Sequence, residues 1–382
     1  MLTRNGWTTA ALCAATLTVG LVAGYVELVA VGAMLLVALG TAVAWLFLRP
    51  SIEVSRSVGP THVAEGEGAS AVLSVTNSGV RRTPPLLARE RMADRTVRIE
   101  LGRLAPDSTS RTSYALPTDR RGVFEVGPLE LSHGDALGLV TVIYGQGAVA
   151  RLVVHPRTVR VAPLPTGRAQ DLDGPTAASA PRGGIAFHSL REYVPGDDLR
   201  LVHWPTTARM GTLMVRHTVV TNEPRLVLVL DTSSEPYPDA AYFEDAVRVT
   251  ASLLVAAAEL RYPIELFTTG GASASVDATG RGRTAALDLL AAVRTEPSDA
   301  GLRALTGLAT QRQHGASLGV VSGMARPTQL AVVTAIRSRY EMATLVQVGE
   351  HHGRTRGGID GVLGVACRDL GEFARVWKAA VG

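Results

Sequence analysis

Between Gly6 and Leu48 the sequence carries a single charged residue, Glu27, in 43 positions. As one helix this run would extend about 64 Å, roughly twice the hydrocarbon thickness of a bilayer. Two transmembrane spans fit instead, Trp7 to Tyr25 and Leu28 to Leu48, joined by a tight turn around Gly24 to Glu27. Arg4 precedes the first span, Arg49 and Arg56 follow the second, and the connection holds only Glu27. This asymmetry predicts a two-span protein of the cell membrane with both ends in the cytoplasm. A signal peptide cleaved near Ala23-Gly24 is the competing reading, and it leaves Arg49 on the same side of the second span. Two core helices of a soluble protein fit less well, because the apolar character runs all round both segments.

The remaining length is enough for two or three folding units. Residues 51–162 read as an all-β, sandwich-like domain. Side chains alternate in Ser51 to Val58 and Ala71 to Thr76, and Asn77-Ser-Gly79 marks a turn. Further strands are expected at Arg95–Glu100, Arg111–Leu116, Gly122–Val126, Leu137–Tyr144 and Ala150–Val154. Residues 163–223 are assigned to a linker, rich in Pro, Gly and Ala up to Gly183, followed by a motif-bearing segment. Residues 224–382 read as α/β. Arg225–Leu230 is a continuous apolar run, the pattern of a strand buried on both faces. Strands at 263–268, 317–321, 343–348 and 361–367 alternate with helices at 238–260, 284–293, 327–340 and 370–381, which predicts a doubly wound, Rossmann-type sheet.

Lys378 is the one lysine among 38 basic residues. A Walker A phosphate loop, a kinase strand lysine and a Schiff-base lysine are therefore missing. Any ATP requirement falls to another chain. The net charge is only +4, with no basic stripe carrying interleaved aromatics, so nucleic acid is not an expected partner. Cys13 and Cys367 are too few for a typical structural zinc site, and the adjacent His351-His352 read as an exposed turn. Gly319-Val-Val-Ser-Gly323 has the wrong spacing for a nucleophile elbow, and His-Glu-x-x-His is absent. Gly280-Arg-Gly-Arg-Thr-Ala285 reads as a tight turn rather than a dinucleotide fingerprint, and catalysis is not expected.

Two motifs remain. Asp231-Thr-Ser-Ser-Glu235 ends the first α/β strand, where open sheets bind ligands, and a carboxylate with nearby hydroxyls suits a hard cation such as Mg²⁺. It resembles the metal-ion-dependent adhesion site of von Willebrand factor A domains at Asp231 and Ser233, with Glu235 in place of the third Ser. That family's later Asp is replaced by Ser322-Gly323, and its threonine has only Thr295 and Ser298 as candidates, so the resemblance implies a degenerate site. The alternative is that Asp231 and Ser233 only cap the following loop and helix.

The second motif is Arg191-Glu-Tyr-Val-Pro-Gly-Asp-Asp-Leu-Arg200, with Trp204 and Ala208-Arg209. It resembles the signature of the bacterial family known as domain of unknown function 58, as do Arg120 to Pro128 and Asp135 to Leu139. The family's usual Asp-Trp-Lys stands here as His203-Trp204-Pro205. Asp197 is expected to cap a short helix running through Trp204. Arg191, Arg200, Arg209 and Arg216 beside Glu192, Asp197 and Asp198 can form an ion-pair network, with Tyr193 and Trp204 as apolar anchors. This network either pins the linker to the α/β domain or, with Pro195 and Gly196 as its turn, forms a partner-docking surface. The resemblance implies two spans, a β domain and a von Willebrand A-like domain, working with a MoxR-type AAA ATPase in assembly or maturation of clients. A membrane-associated hydrolase and a purely structural envelope scaffold are the competing functions.

Overall fold

The computed structural model describes residues 2–45, 51–92, 95–135, 137–146, 149–166, 185–194, 199–220, 224–308, 316–350, 356–359 and 361–381. The chain divides into two units, Met1–Arg157 and Thr158–Gly382.

The first unit opens with two antiparallel helices, α1 (Arg4–Ala23) and α2 (Val26–Trp45). Each is long and apolar enough to cross a membrane. Thr3 caps α1, its hydroxyl accepting from the Gly6 amide at 3.0 Å, and Gly24 ends it in the left-handed conformation. The turn is tighter than expected: α2 already starts at Val26, which puts Glu27 in its first turn, where the helix dipole favours a carboxylate. The buried residues of α1 are Gly6, Cys13 and Gly20, small side chains seven apart on one face. A Cβ on Gly20 would lie 2.9 Å from Val29, and one on Gly32 would lie 2.6 Å from Leu17. Small residues thus let the helices approach, as in apolar helix pairs generally. Leu12, Leu21, Val22, Leu36 and Val37 stay exposed on the outside of the pair.

Among the described residues nine strands follow: β1 (Ile52–Gly59), β2 (His62–Ala64), β3 (Ala69–Asn77), β4 (Leu86–Met92), β5 (Arg95–Leu101), β6 (Thr109–Leu116), β7 (Gly122–Gly134), β8 (Thr141–Gln146) and β9 (Ala150–His155). They form one sheet ordered β1-β3-β6 and another ordered β2-β9-β7-β4-β5, with β8 on β7. Alternation turns one face of each sheet inward, and Leu73 and Val75 of β3 share a core with Ala88 of β4 and Leu129 and Leu131 of β7. Arg56 of β1 and Glu90 of β4 form a buried ion pair from one sheet to the other. The strand expected at Leu137–Tyr144 begins only at Thr141. Asp135 accepts from the amides of Leu137 (3.0 Å) and Val140 (2.7 Å), which folds 135–140 into a turn. That turn meets the helices: the Thr3 amide donates to Leu139 O at 2.9 Å, and Ala42 packs on Leu139 and Val140.

The second unit holds a hairpin of β10 (Ile185–Glu192) and β11 (Met214–Val220), with a 3₁₀ turn Leu199–Leu201 and α3 (Trp204–Met210) between them. The helix expected to run through Trp204 is therefore two pieces, with Trp204 starting the second. Then come β12 (Arg225–Leu230), α4 (Ala240–Glu259), β13 (Ile264–Thr268), β14 (Ser273–Val276), α5 (Arg283–Ala292), α6 (Leu305–Leu308), β15 (Ala316–Ser322), α7 (Pro327–Ile336), β16 (Ala343–Val348), β17 (Arg356–Ile359), β18 (Val362–Cys367) and α8 (Leu370–Val381). The helix expected to reach Tyr340 leaves α-geometry at Ile336 and continues as a 3₁₀ turn. The sheet order is β14-β13-β12-β15-β16-β18-β17, parallel except for β14 and β17 at its edges. Leu226, Leu228 and Leu230 of β12 face α4 and α8, while Val227 and Val229 face the α7 side, which is why this strand reads as an unbroken apolar run.

Residues 158–166 also belong to this unit. Leu164 is buried in the α4–α8 core, and the fully buried Trp377 donates from Nε1 to Ala162 O at 2.7 Å. The rest of the expected linker, 167–183, lies outside the described residues. Trp377→Ala removes both the packing and this bond. It is expected to destabilise the unit by about 3–5 kcal/mol, read as a lowered urea midpoint, with new proteolytic cleavage at 158–166. An unchanged midpoint would contradict this packing.

Candidate functional site

The chain leaves β12 on one side, through β13 and β14, and returns on its other side with β15. At such a switch point connections run to opposite faces and a crevice opens beyond the carboxyl ends of the strands. Asp231 is the first residue past β12 and is fully buried. Its amide donates to Val321 O at 2.8 Å, tying it to β15.

Hydroxyls from three strand ends surround its carboxylate. Oδ1 accepts from the Ser233 amide at 3.0 Å and the Ser233 hydroxyl at 2.6 Å. Oδ2 accepts from the Ser322 hydroxyl, at the end of β15, at 2.7 Å. Thr269, just past β13, lies 3.3 Å from Oδ1 but only 2.6 Å from Oδ2 of Asp299, so its single proton goes to Asp299. Thr232 also donates to Asp299 Oδ2 at 2.6 Å, and the Gly301 amide donates to Oδ1 at 2.9 Å. Burial raises the pKa of Asp231, the Ser233 and Ser322 hydrogen bonds oppose that, and the Asp299 charge adds a smaller push upward.

A loop covers the network. The Glu296 amide donates to Thr232 O at 2.8 Å, and Gly301 sits at φ +61° against Ser233, where a Cβ would come within 2.8 Å of the serine Oγ. Below, the Tyr237 hydroxyl donates to Asp231 O at 2.8 Å, and burial pushes this phenol well above its ordinary pKa.

The structure thus brings Asp231 and Ser233 together and turns Glu235 away. Glu235 pairs with Arg326 at 3.1 Å and accepts from Gln329 Nε2 at 3.0 Å, both at the start of α7. The second carboxylate comes from Asp299, not from the end of β15. Thr295 and Ser298 are in its loop, but the threonine hydroxyls of the network are Thr232 and Thr269. The signal for Thr269 and Ser322 was available, since both follow apolar strands at the edge where such sheets bind ligands. Oxygen donors of this kind suit a hard cation. Here each carboxylate oxygen of Asp231 and Asp299 already accepts a hydrogen bond, and Gly301 leaves no room beside Ser233. The donor set is therefore engaged internally, and no cation-binding step is derived from it.

The other motifs settle more simply. Of Gly280–Ala285, Gly280–Gly282 is a turn and Arg283–Ala285 open α5; Asp277 accepts from the Thr279 hydroxyl at 2.6 Å, and that bond, with those from the Thr279 and Arg281 amides, lowers its pKa. Cys367 is buried on β18, which raises its thiol pKa far above the ordinary range. His351 and His352 lie outside the described residues.

In the signature segment, Pro195, Gly196, Asp197 and Asp198 lie outside the described residues, as do the side chains of Arg191, Arg200 and Arg216. The expected ion-pair network is therefore not described, apart from Glu192 and Arg209, both exposed. Tyr193 is half-buried, and its amide donates to Leu213 O at 2.8 Å. Pro205 opens α3, a position that needs no amide donor, and His203 Nδ1 lies 2.8 Å from the Thr206 hydroxyl. No residue of α3 is buried. Trp204 and Met210 are each 65% exposed, and Val194, Leu199, Leu201 and Leu213 in the flanking chain are exposed as well.

Residues 189–350 match the family described as protein of unknown function DUF58. The uncharacterized protein YeaD of Bacillus subtilis (strain 168) is 31% identical over 144 residues, 37% of this chain. The match spans 35% of that relative's length. Among solved structures, the CARDB domain of the PF1109 protein from Pyrococcus furiosus is 14% identical, with a TM-score of 0.21, over 28% of this chain and 93% of that one. The human zinc 2-glycoprotein complex with prolactin inducible protein gives 13%, 0.22, 28% and 97%. At these scores neither structure bears on the site.

Asp231 holds its proton more tightly folded than unfolded. Between the ordinary value of 3.8 and its raised folded value, the folded state binds more protons, so this residue's contribution to stability falls as pH rises and levels off above that window. The difference in urea midpoint between wild type and Asp231→Asn is expected to shift against wild type as pH is raised from 3.8. A flat difference would show that folding leaves the Asp231 pKa unshifted.

Proposed function

We propose that this chain, whose residues 189–350 carry the DUF58 segment, is a membrane-anchored protein-binding adaptor or scaffold. On this reading α1 and α2 span the cell membrane and both folded units lie in the cytoplasm. The two facing sheets of the first unit are a β-sandwich, and the second unit is a von Willebrand A-like domain. Its strand-end site is a closed hydrogen-bonded network without a catalytic role. The partner is a MoxR-type AAA ATPase, which supplies the ATP chemistry that a chain with one lysine lacks.

The observation that carries the reading is the apolar surface of the signature segment. Trp204 and Met210 are exposed at the two ends of α3, a helix with no buried residue, and Val194, Leu199, Leu201 and Leu213 are exposed in the chain that flanks it. Scattered apolar residues on a surface need no explanation, but a cluster containing Trp has the composition of an interface hot spot.

The test is affinity capture of the full-length, detergent-solubilised protein from its own cells with ATP and Mg²⁺. Wild type is expected to recover an AAA ATPase, and Trp204→Ala with Met210→Ala to lose it while keeping the wild-type urea midpoint. An Asp231→Asn variant is expected to retain it. Equal recovery by the double variant would remove the docking surface from this segment, and no ATPase in any arm would overturn the adaptor reading.

A further inference from the structure

The outer face of the larger sheet in the first unit carries a cleft of ≈ 240 Å³ lined by Arg89, Arg91, Thr96, Arg98, Pro128 and Glu130. Alternation puts these side chains there: β4 turns Ala88, Glu90 and Met92 inward and Arg89 and Arg91 outward, while β5 turns Ile99 inward and Thr96 and Arg98 outward. Register then sets Arg98 directly opposite Arg89, and Thr96 opposite Arg91. On the other side of β4, Glu130 is opposite Arg89. Like charges directly opposite across a ladder are unfavourable, and Arg91 adds a third on the same face two residues along β4. Among the described residues none of the three arginines forms an ion pair, not even Arg89 with Glu130. The strands thus hold three guanidinium groups in one concave spot with a single carboxylate at its edge, an excess of two positive charges.

We infer that this cleft binds a phosphate monoester whose organic part carries a free hydroxyl. A phosphate monoester is close to a dianion at neutral pH, which matches the excess charge. The planar forks of Arg89, Arg91 and Arg98 suit bidentate contact with its oxygens, as an ammonium group would not. Glu130 repels the phosphate and accepts from a hydroxyl, so it orients the ligand with the phosphate towards β5. The volume is below that of most ligand pockets, which limits the organic part to a few carbons inside the cleft.

The experiment is calorimetric titration of the full-length protein in nonionic micelles with sn-glycerol 3-phosphate and with inorganic phosphate. One molecule of glycerol 3-phosphate is expected per chain. Arg89→Ala, Arg98→Ala and Arg91→Ala are each expected to weaken it about ten- to a hundredfold. Glu130→Ala, which removes both the repelling charge and the hydroxyl acceptor, should tighten inorganic phosphate and lower the preference for glycerol 3-phosphate over it. Arg82→Ala, an exposed arginine in the loop before β4, should change nothing. Absence of binding to wild type overturns the proposal, as does an Arg82→Ala loss equal to that of Arg89→Ala, which would mean diffuse attraction. Doping the micelles with lysophosphatidic acid, a phosphate monoester that keeps one free glycerol hydroxyl, separates the sources: loss of glycerol 3-phosphate binding supports the site with a lipid headgroup as its ligand, and unchanged binding supports it with a soluble ester.

Discussion

The second unit is organised around a carboxylate held out of water. Removing Asp231 from solvent is costly unless its oxygens are satisfied, and the end of β12 offers no donors of its own beyond Ser233. The missing one arrives from Ser322 of β15, while Thr269 from β13 donates to the neighbouring Asp299. Each donor fixes a neighbouring strand end in register with β12. The Asp299 loop is fixed by the same account, because its carboxylate collects the Thr232 and Thr269 hydroxyls and its Gly301 closes over Ser233. An arrangement whose oxygens could face a cation instead faces inward, where neutral hydroxyl donors satisfy its oxygens.

The first unit meets the same problem at Glu90. This residue occupies an inward position of β4, where a charge needs a partner, and Arg56 reaches it from the other sheet. A buried pair of this kind is weak support for stability, but it fixes which strand faces which. The helix pair uses another device. Gly20 and Gly32 let α1 and α2 approach closely, and the Cys13 Sγ donates to Gly32 O between them.

What the sequence revealed follows from these environments. β12 was legible because both of its faces are buried and nothing polar interrupts it. β15 and β16 stood out for the same reason, and α8 because Leu370, Phe373 and Trp377 recur on one face. β4 was hidden because Glu90 sits where alternation requires an apolar residue, and its compensating Arg56 lies thirty-four positions earlier in the chain. β14 and β17 are short edge strands with little apolar content. At the site, Asp231 and Ser233 were legible from position alone. Asp299 was not, since a loop has no periodicity to say which of Thr295, Ser298 and Asp299 points back at the sheet. Glu235 has the right spacing for a ligand, yet Arg326 and Gln329 at the start of α7 draw it off. Those partners come from almost a hundred residues further on, beyond the reach of any local pattern.

Burial also bears on which surface a partner can read. Asp231 and Ser322 are fully buried and Ser233 nearly so, so nothing docks on them while the loop 296–301 is closed. Opening that loop would break the Glu296 amide bond to Thr232 and strip Asp299 of its hydroxyl donors, leaving two carboxylates near one another with less to hold them. A binder aimed at this point would have to replace those donors before gaining any affinity. The signature helix poses no such obstacle, because Trp204 and Met210 are already in solvent and burying them releases water from apolar surface. The closed strand-end network holds the sheet together, whereas Trp204 and Met210 on α3 stay exposed.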